Sequence, residues 1–334
     1  MTRLLLKIGL LGGLVMVTLL FPFYTRFPYS HAVSLLINKL MLLKETPSPK
    51  IVFVGGRGTY SGLNSQMVHD AMHCPVANVA IYAGHGILPI LRLIEPHLNA
   101  QDIVVIIPEY GLLHAGLNNT EKTRKWLLAA SPLPSLSRYY PLSPTGLKDL
   151  LSDLAELATS KLTVLPQSLF AKSSAGYYKW QKVMDQFGDM TDRAQFDKLP
   201  PEKLLDRGIS YWHKPVETEA IDELNSFAQS AARVGAKVFW VFAAFPEKDY
   251  EMNREHFDAI YRQLEAELKI PILGTPYDFL YPYQYFQDSV NHLSAEGKTL
   301  RTAKVIELLK ANLPYRCART AGEQAPPGQQ SSRR

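Results

Sequence analysis

The sequence predicts a three-layer α/β domain built on a parallel sheet of about five strands. Three observations carry this. Ile51-Val-Phe-Val54 is a continuous apolar run that stops at Gly55-Gly56, the pattern of a buried strand entering a tight turn. Two more apolar runs, Val76 to Tyr82 and Asp102 to Ile107, end in turn residues and alternate with helical stretches. The same alternation returns after a long interruption, from Thr218 to Leu313.

Taken in order, Leu4 to Tyr24 is apolar apart from Lys7 and Thr18. At about 20 residues it is long enough to span a bilayer as a helix. Arg3 and Lys7 favour a cytoplasmic N-terminus, and Phe21, Phe23, Tyr24, Phe27 and Tyr29 form an aromatic cluster at its exit. A cleaved signal peptide is the rival reading, but bulky aromatics occupy the place of a small-x-small cleavage site. An uncleaved anchor over 1–30 is therefore expected, with the rest of the chain exported. His31 to Lys44 reads as an amphipathic helix, and Glu45-Thr-Pro-Ser-Pro-Lys50 as a linker stopped by two prolines.

The globular domain is expected over 51–315. The first strand leads through its glycine turn to a helix from near Gln66, capped by Asn64 or Ser65. The second strand precedes Ala83-Gly84-His85-Gly86, and Ile87 to Leu98 fits a helix. The third strand is stopped by Pro108-Glu109-Tyr110. Residues 112–215 break the rhythm with helical pieces (Thr120 to Ala130, Thr145 to Thr159, Tyr177 to Asp185) and many prolines. They read as a helical insertion beside the carboxyl edge of the sheet, either a lid or surface decoration. Thr218 to Val234 is a helix closed by Gly235, Lys237 to Ala244 a fourth strand, Asn253 to Leu268 a helix, and Ile270 to Leu273 a fifth strand. The last helix runs from about Ala295 to Leu313, and 316–334 is a Gly/Pro/Gln/Ser/Arg-rich tail.

Composition narrows the function classes. The chain has 334 residues, 46% hydrophobic and 20% charged, as globular proteins do. Its net charge of +5 is scattered, with no basic stripe of the kind nucleic acid requires. His69, His73, His97, His114, His213 and His256 show no metal-ligand spacing, and no cofactor is implied. Of the two cysteines, Cys74 lies just before the second strand and Cys317 just after the last helix. Both belong to the bottom of the sheet, so a disulfide between them is expected in an oxidising compartment.

Ligands of such sheets bind beyond the carboxyl ends of the strands. There the chain supplies Arg57-Gly58, Gly84-His85-Gly86 and Glu109, joined by Asp288 and His292 from a late loop. A histidine oriented by a carboxylate is the base half of a nucleophilic triad, and glycine turns expose N–H groups that can hold an oxyanion. Tyr277, Tyr281, Tyr283 and Tyr285 flank the Asp288 loop, where they either stack on a sugar or pack the core.

These blocks resemble the SGNH (GDSL-like) hydrolase superfamily, a flavodoxin-like α/β/α fold, and especially its membrane-anchored envelope branch. The resemblance rests on Gly55-Gly56-Arg57-Gly58 with Tyr60-Ser61-Gly62, Val76 to Gly86 around Asn78, Asp102 to Tyr110, Phe187-Gly188-Asp189, and Phe286 to Thr302. It implies Asp288 and His292 as acid and base, Gly84 or Gly86 as the oxyanion-hole glycine, and Glu109 where the superfamily often has Asn. It also places Arg57 where the nucleophilic serine belongs. A guanidinium is permanently charged and cannot attack an acyl carbon. Thr59, Ser61 and Ser65 are the nearby hydroxyls, displaced by two or more residues. Arg57 is expected beside Glu109, in position for a charge-assisted pair with it, with Asp288 as the other carboxylate within reach. Three functions follow as expectations: an envelope protein that binds or helps modify a surface glycan, with or without an acyl-transfer partner protein; an esterase or O-acyltransferase with another nucleophile; or an interaction protein with a filled pocket.

Overall fold

The computed structural model describes residues 6–7, 9–14, 17, 31–113, 117, 124, 128, 140–170, 184–191 and 215–313. The anchor expected over 1–30 falls mostly outside these, as does the tail. Among the described residues no helix is long and apolar enough to cross a membrane, so no spanning helix is seen.

The chain enters through α1 (His31–Glu45) and reaches a parallel sheet with order β2-β1-β3-β4. The strands are β1 (Ile51–Gly55), β2 (Val76–Asn78), β3 (Ile103–Ile107) and β4 (Lys237–Trp240). β1 and β3 are buried along their whole length, as their unbroken apolar runs require in a sheet covered on both faces. β1 is central, with Ile51 opposite Val76 on one side and Ile103 on the other. The ends of β1 and β3, Gly55 and Ile107, therefore lie side by side at the carboxyl edge.

The structure corrects the strand count from about five to four. Ile270 to Leu273 keeps one parallel bridge, Ile272 to Trp240. Pro271 has no N–H to donate, and Gly274 turns the chain away at φ +72°. β2 is likewise shorter than expected, although Val79 N and Ile81 N still donate to Phe53 O and Gly55 O. The fourth strand stops at Trp240, and β5 (Phe245–Pro246) pairs instead with β6 (Leu280–Tyr281).

The glycine-rich stretch after β1 is also more regular than a turn. It winds into α2 (Arg57–Gly62), followed by α3 (Ser65–Met72), whose N-cap Asn64 accepts from Met67 N at 3.2 Å. Arg301 packs against α2. This fully buried side chain comes from α10 (Ala295–Asn312) and donates to Gly58 O at 2.8 Å and Gly62 O at 3.5 Å. Further helices among the described residues are α4 (Leu88–Ile94), α5 (Tyr110–Leu113), α6 (Pro144–Phe170), α7 (Thr218–Arg233), α8 (Glu247–Met252) and α9 (Arg254–Glu267).

Of the expected insertion, residues 112–113, 117, 124, 128, 140–170 (which include α6), 184–191 and 215 are described. The helix expected over Tyr177 to Asp185 lies largely outside the described residues, and its end is not helical: Met184 bridges Met190 in antiparallel fashion. Asp189 pins this segment to the domain. It accepts from Ser65 N (2.6 Å), Ser65 Oγ (2.7 Å) and Asn78 Nδ2 (2.7 Å). Cys74 is buried and disulfide-bonded; Cys317, the chain's other cysteine, lies outside the described residues.

Candidate functional site

Asp288 and His292 meet on a hairpin. β7 (Phe286–Ser289) and β8 (His292–Leu293) are antiparallel, with Ser289 opposite His292. The turn Val290-Asn291 folds the chain back, so residues four apart in sequence become neighbours across the hairpin. Asp288 Oδ1 and His292 Nδ1 are 2.8 Å apart. Burial pushes the Asp288 carboxyl up. The hydrogen bond and charge of His292, with a smaller effect of Arg57, outweigh it and hold the group below the usual carboxylate range. A carboxylate on Nδ1 fixes the ring and leaves Nε2 for chemistry.

Arg57 faces the same place. Arg57, Ser61, Met190, Gln287, Asp288, His292 and Leu293 line one cleft. Its volume is about 10 Å³, the space of one water molecule. Among the described residues the cleft admits a small polar group, not a sugar ring.

Glu109 does not pair with Arg57, contrary to expectation. Its carboxylate is buried beneath the turn and takes the backbone N–H of Gly58 on Oε1 at 2.5 Å. Oε2 is buried with no hydrogen-bond partner. Burial raises this carboxyl, and the Gly58 N–H and the charges of His292 and Arg301 offset part of the rise. The two glycines around Arg57 are required by these contacts. A Cβ on Gly56 would lie 1.8 Å from Glu109 Oε2, and one on Gly58 would lie 2.7 Å from Asn291 O. The Gly58 N–H, which an oxyanion would need, is thus already occupied by the chain's own carboxylate.

Gly84 and Gly86 do not line the cleft. Gly84 is exposed and Gly86 turns at φ +74°, beside the short helical turn Ala83–His85. His85 is buried, with Nδ1 2.8 Å from Tyr82 O, and burial drives its imidazole down to about 4. None of the four tyrosines lines the cleft either; Tyr277 donates to Asp258 at 2.6 Å. The structure therefore unites Arg57, Asp288 and His292, puts Gly58 and Glu109 directly behind them, and leaves Gly84 and Gly86 apart.

Of the nearby hydroxyls, Thr59 Oγ1 donates to Ile107 O (2.9 Å) and Ser65 Oγ to Asp189 (2.7 Å). Only Ser61 among the three lines the cleft. Arg301 is the residue that sequence reasoning missed. Its position seven residues into the last helix carries no local signal, and only the packing of α10 against α2 reveals its role.

Among the described residues no group of three or more His, Cys, Asp or Glu side chains is placed to hold a metal ion. In comparisons with known proteins, the chain matches no protein-family model and no curated protein.

Proposed function

We propose that this chain is an SGNH-hydrolase-like envelope protein, exported behind its apolar N-terminal segment, that binds a surface glycan and assists its modification. Arg57 is then a binding cation where the attacking serine would stand. The observation that carries this reading is the shared cleft: a guanidinium lies with a correctly bonded Asp288–His292 couple, while the Gly58 N–H behind it is filled by Glu109. Ester hydrolysis through position 57 lacks both its hydroxyl and this donor. The small volume fits a carboxylate or an acyl oxygen displayed on a sugar, with the ring outside. A carboxylate meets Arg57 in a charge-assisted, two-pronged hydrogen bond.

The test is calorimetric titration of the purified protein with uronate-containing and neutral oligosaccharides. Saturable binding of the uronates is expected, weakened at least tenfold in Arg57→Ala with its melting temperature unchanged. Equal binding by that variant would refute the reading. The same small volume favours a second reading, a filled pocket serving an interaction surface; that one predicts no binding of either sugar class.

A further inference from the structure

Residues 184–190 form a small hairpin, with Met184 opposite Met190, that touches the cleft at one point and α1 at another. Met190 is part of the cleft wall, and its N–H donates to Tyr60 O at 3.0 Å. Gly188, two residues earlier, lies between α1 and the end of β2. It turns at φ +91°, and a Cβ there would lie 2.4 Å from Asn78 O and 2.8 Å from Leu42 Cδ2. Lys39 of α1 closes this joint. Its Nζ donates to Gly188 O and to Asn78 O, which ties the hairpin and β2 to one buried amine.

Helix and hairpin are held differently. α1 is fixed in the core by Leu36 and Leu43, both fully buried. Of the hairpin's apolar side chains only Met190 is buried, while Met184 and Phe187 are half-buried. Its other ties are polar: Lys39 on Gly188, Ser65 and Asn78 on Asp189, Lys298 at 3.8 Å from the same carboxylate, and Asn78 N on Phe187 O. Asp185 Oδ1 accepts from Phe187 N at 2.9 Å and Asp189 N at 2.8 Å, which keeps the hairpin one unit. A unit with so little buried apolar surface opens at lower free energy than a core helix.

We propose that residues 184–190 are a lid over the cleft and that Lys39 is the latch that holds it shut. Closed, Met190 leaves about 10 Å³ beside Arg57 and His292, room for one water molecule. When the latch lets go, the hairpin lifts, Met190 leaves the wall, and both side chains open to a larger group. The lid governs admission to the cleft read above as a carboxylate site, and rests on that reading for its purpose.

Reagent access reports the lid without any glycan, so the two ideas fail separately. The full-length, detergent-solubilised protein is treated with diethyl pyrocarbonate, and the rate of modification of each histidine is followed by peptide mass spectrometry. His292 is expected to react at least fivefold faster in Lys39→Met and in Met190→Ala, while His85, buried outside the cleft, keeps its rate. A smaller gain at His292 in either variant would overturn the proposal. So would equal acceleration at His85, which marks general loosening. Hydrogen exchange of the unaltered protein needs no variant. The Met190 N–H is expected to exchange at least tenfold faster than the amides of Leu40 and Leu43 in α1; any smaller ratio would show that hairpin and helix open only together, and there would be no lid.

Discussion

At the scale of single residues, two basic side chains, Arg301 and Lys39, are cut off from water. Arg301 is met by two carbonyls and a hydroxyl. Lys39 also meets carbonyls, and burial works against its charge. Its Nζ donates to Asn78 O at 2.7 Å and to Gly188 O, and lies 4.2 Å over the Tyr60 ring. Burial lowers its pKa to about 7; Asp189 and Asp185 push it back up and Lys298 lowers it further. A neutral amine still has two hydrogens for its two carbonyls, so losing the proton costs no hydrogen bond. The sign of the pH effect follows. The folded chain binds fewer protons at Lys39 than the unfolded chain between about 7 and the ordinary lysine value of 10.5. The penalty is full below that window and fades as pH rises through it. Urea denaturation should show the unaltered protein gaining on Lys39→Met with increasing pH, by at most about 1.4 kcal/mol per pH unit. A difference that is flat, or that moves the other way, would contradict the assignment.

At the scale of elements, α2 depends on contacts from distant parts of the chain. A six-residue helix containing Gly58 and Gly62 is too short and too glycine-rich to persist alone. Arg301 serves two of its carbonyls and approaches Thr59 Oγ1 at 3.4 Å. Thr59 itself reaches back to Ile107 O at the end of β3. The candidate site therefore stands on α10 and β3 as much as on the stretch that contains Arg57. Arg301→Met keeps much of the volume and removes the donors. Since a hydrogen bond to a charged group contributes about 1.5–3 kcal/mol, a loss of about 3 kcal/mol in unfolding free energy is expected, read by urea denaturation. A loss below about 0.5 kcal/mol, the range of neutral surface changes, would show that α2 does not lean on this side chain.

At the scale of the whole molecule, covalent and ionic contacts hold the bottom of the sheet, the end opposite the candidate cleft. Lys50 and Asp102 form a buried ion pair at 3.3 Å, with Lys50 N and Asn99 N also on the Asp102 carboxylate. Cys74 lies at the same end, just ahead of β2. α10 packs along α3, where Asn64 N donates to Thr302 Oγ1 at 3.0 Å. A disulfide that closes so long a stretch of chain contributes about 2–4 kcal/mol. Reduction with dithiothreitol should therefore lower the melting temperature while leaving the helical circular dichroism at 25 °C unchanged. Detection of two free thiols in the unreduced protein would exclude the bond.

Much of this was legible from residues alone. Unbroken apolar runs at 51–54 and 103–107 specify buried parallel strands, because a strand covered on both faces has no polar alternation to display. Gly235 after α7 is a local stop signal, and the helix ends just before it, with Gly235 at φ +83°. The Asp288–His292 pair was legible through the resemblance of its block, whereas the hairpin that brings the two side chains together appears only in the structure. Only the tertiary structure decided what the glycine stretch became and where Glu109 pointed. Both depend on side chains far apart in sequence, Arg301 from above and Glu109 from the neighbouring strand, and no local pattern encodes such meetings. The same holds for Ser61. Its distance from Arg57 in sequence placed it elsewhere on a turn, whereas the 3.6-residue period of a helix returns it to the cleft.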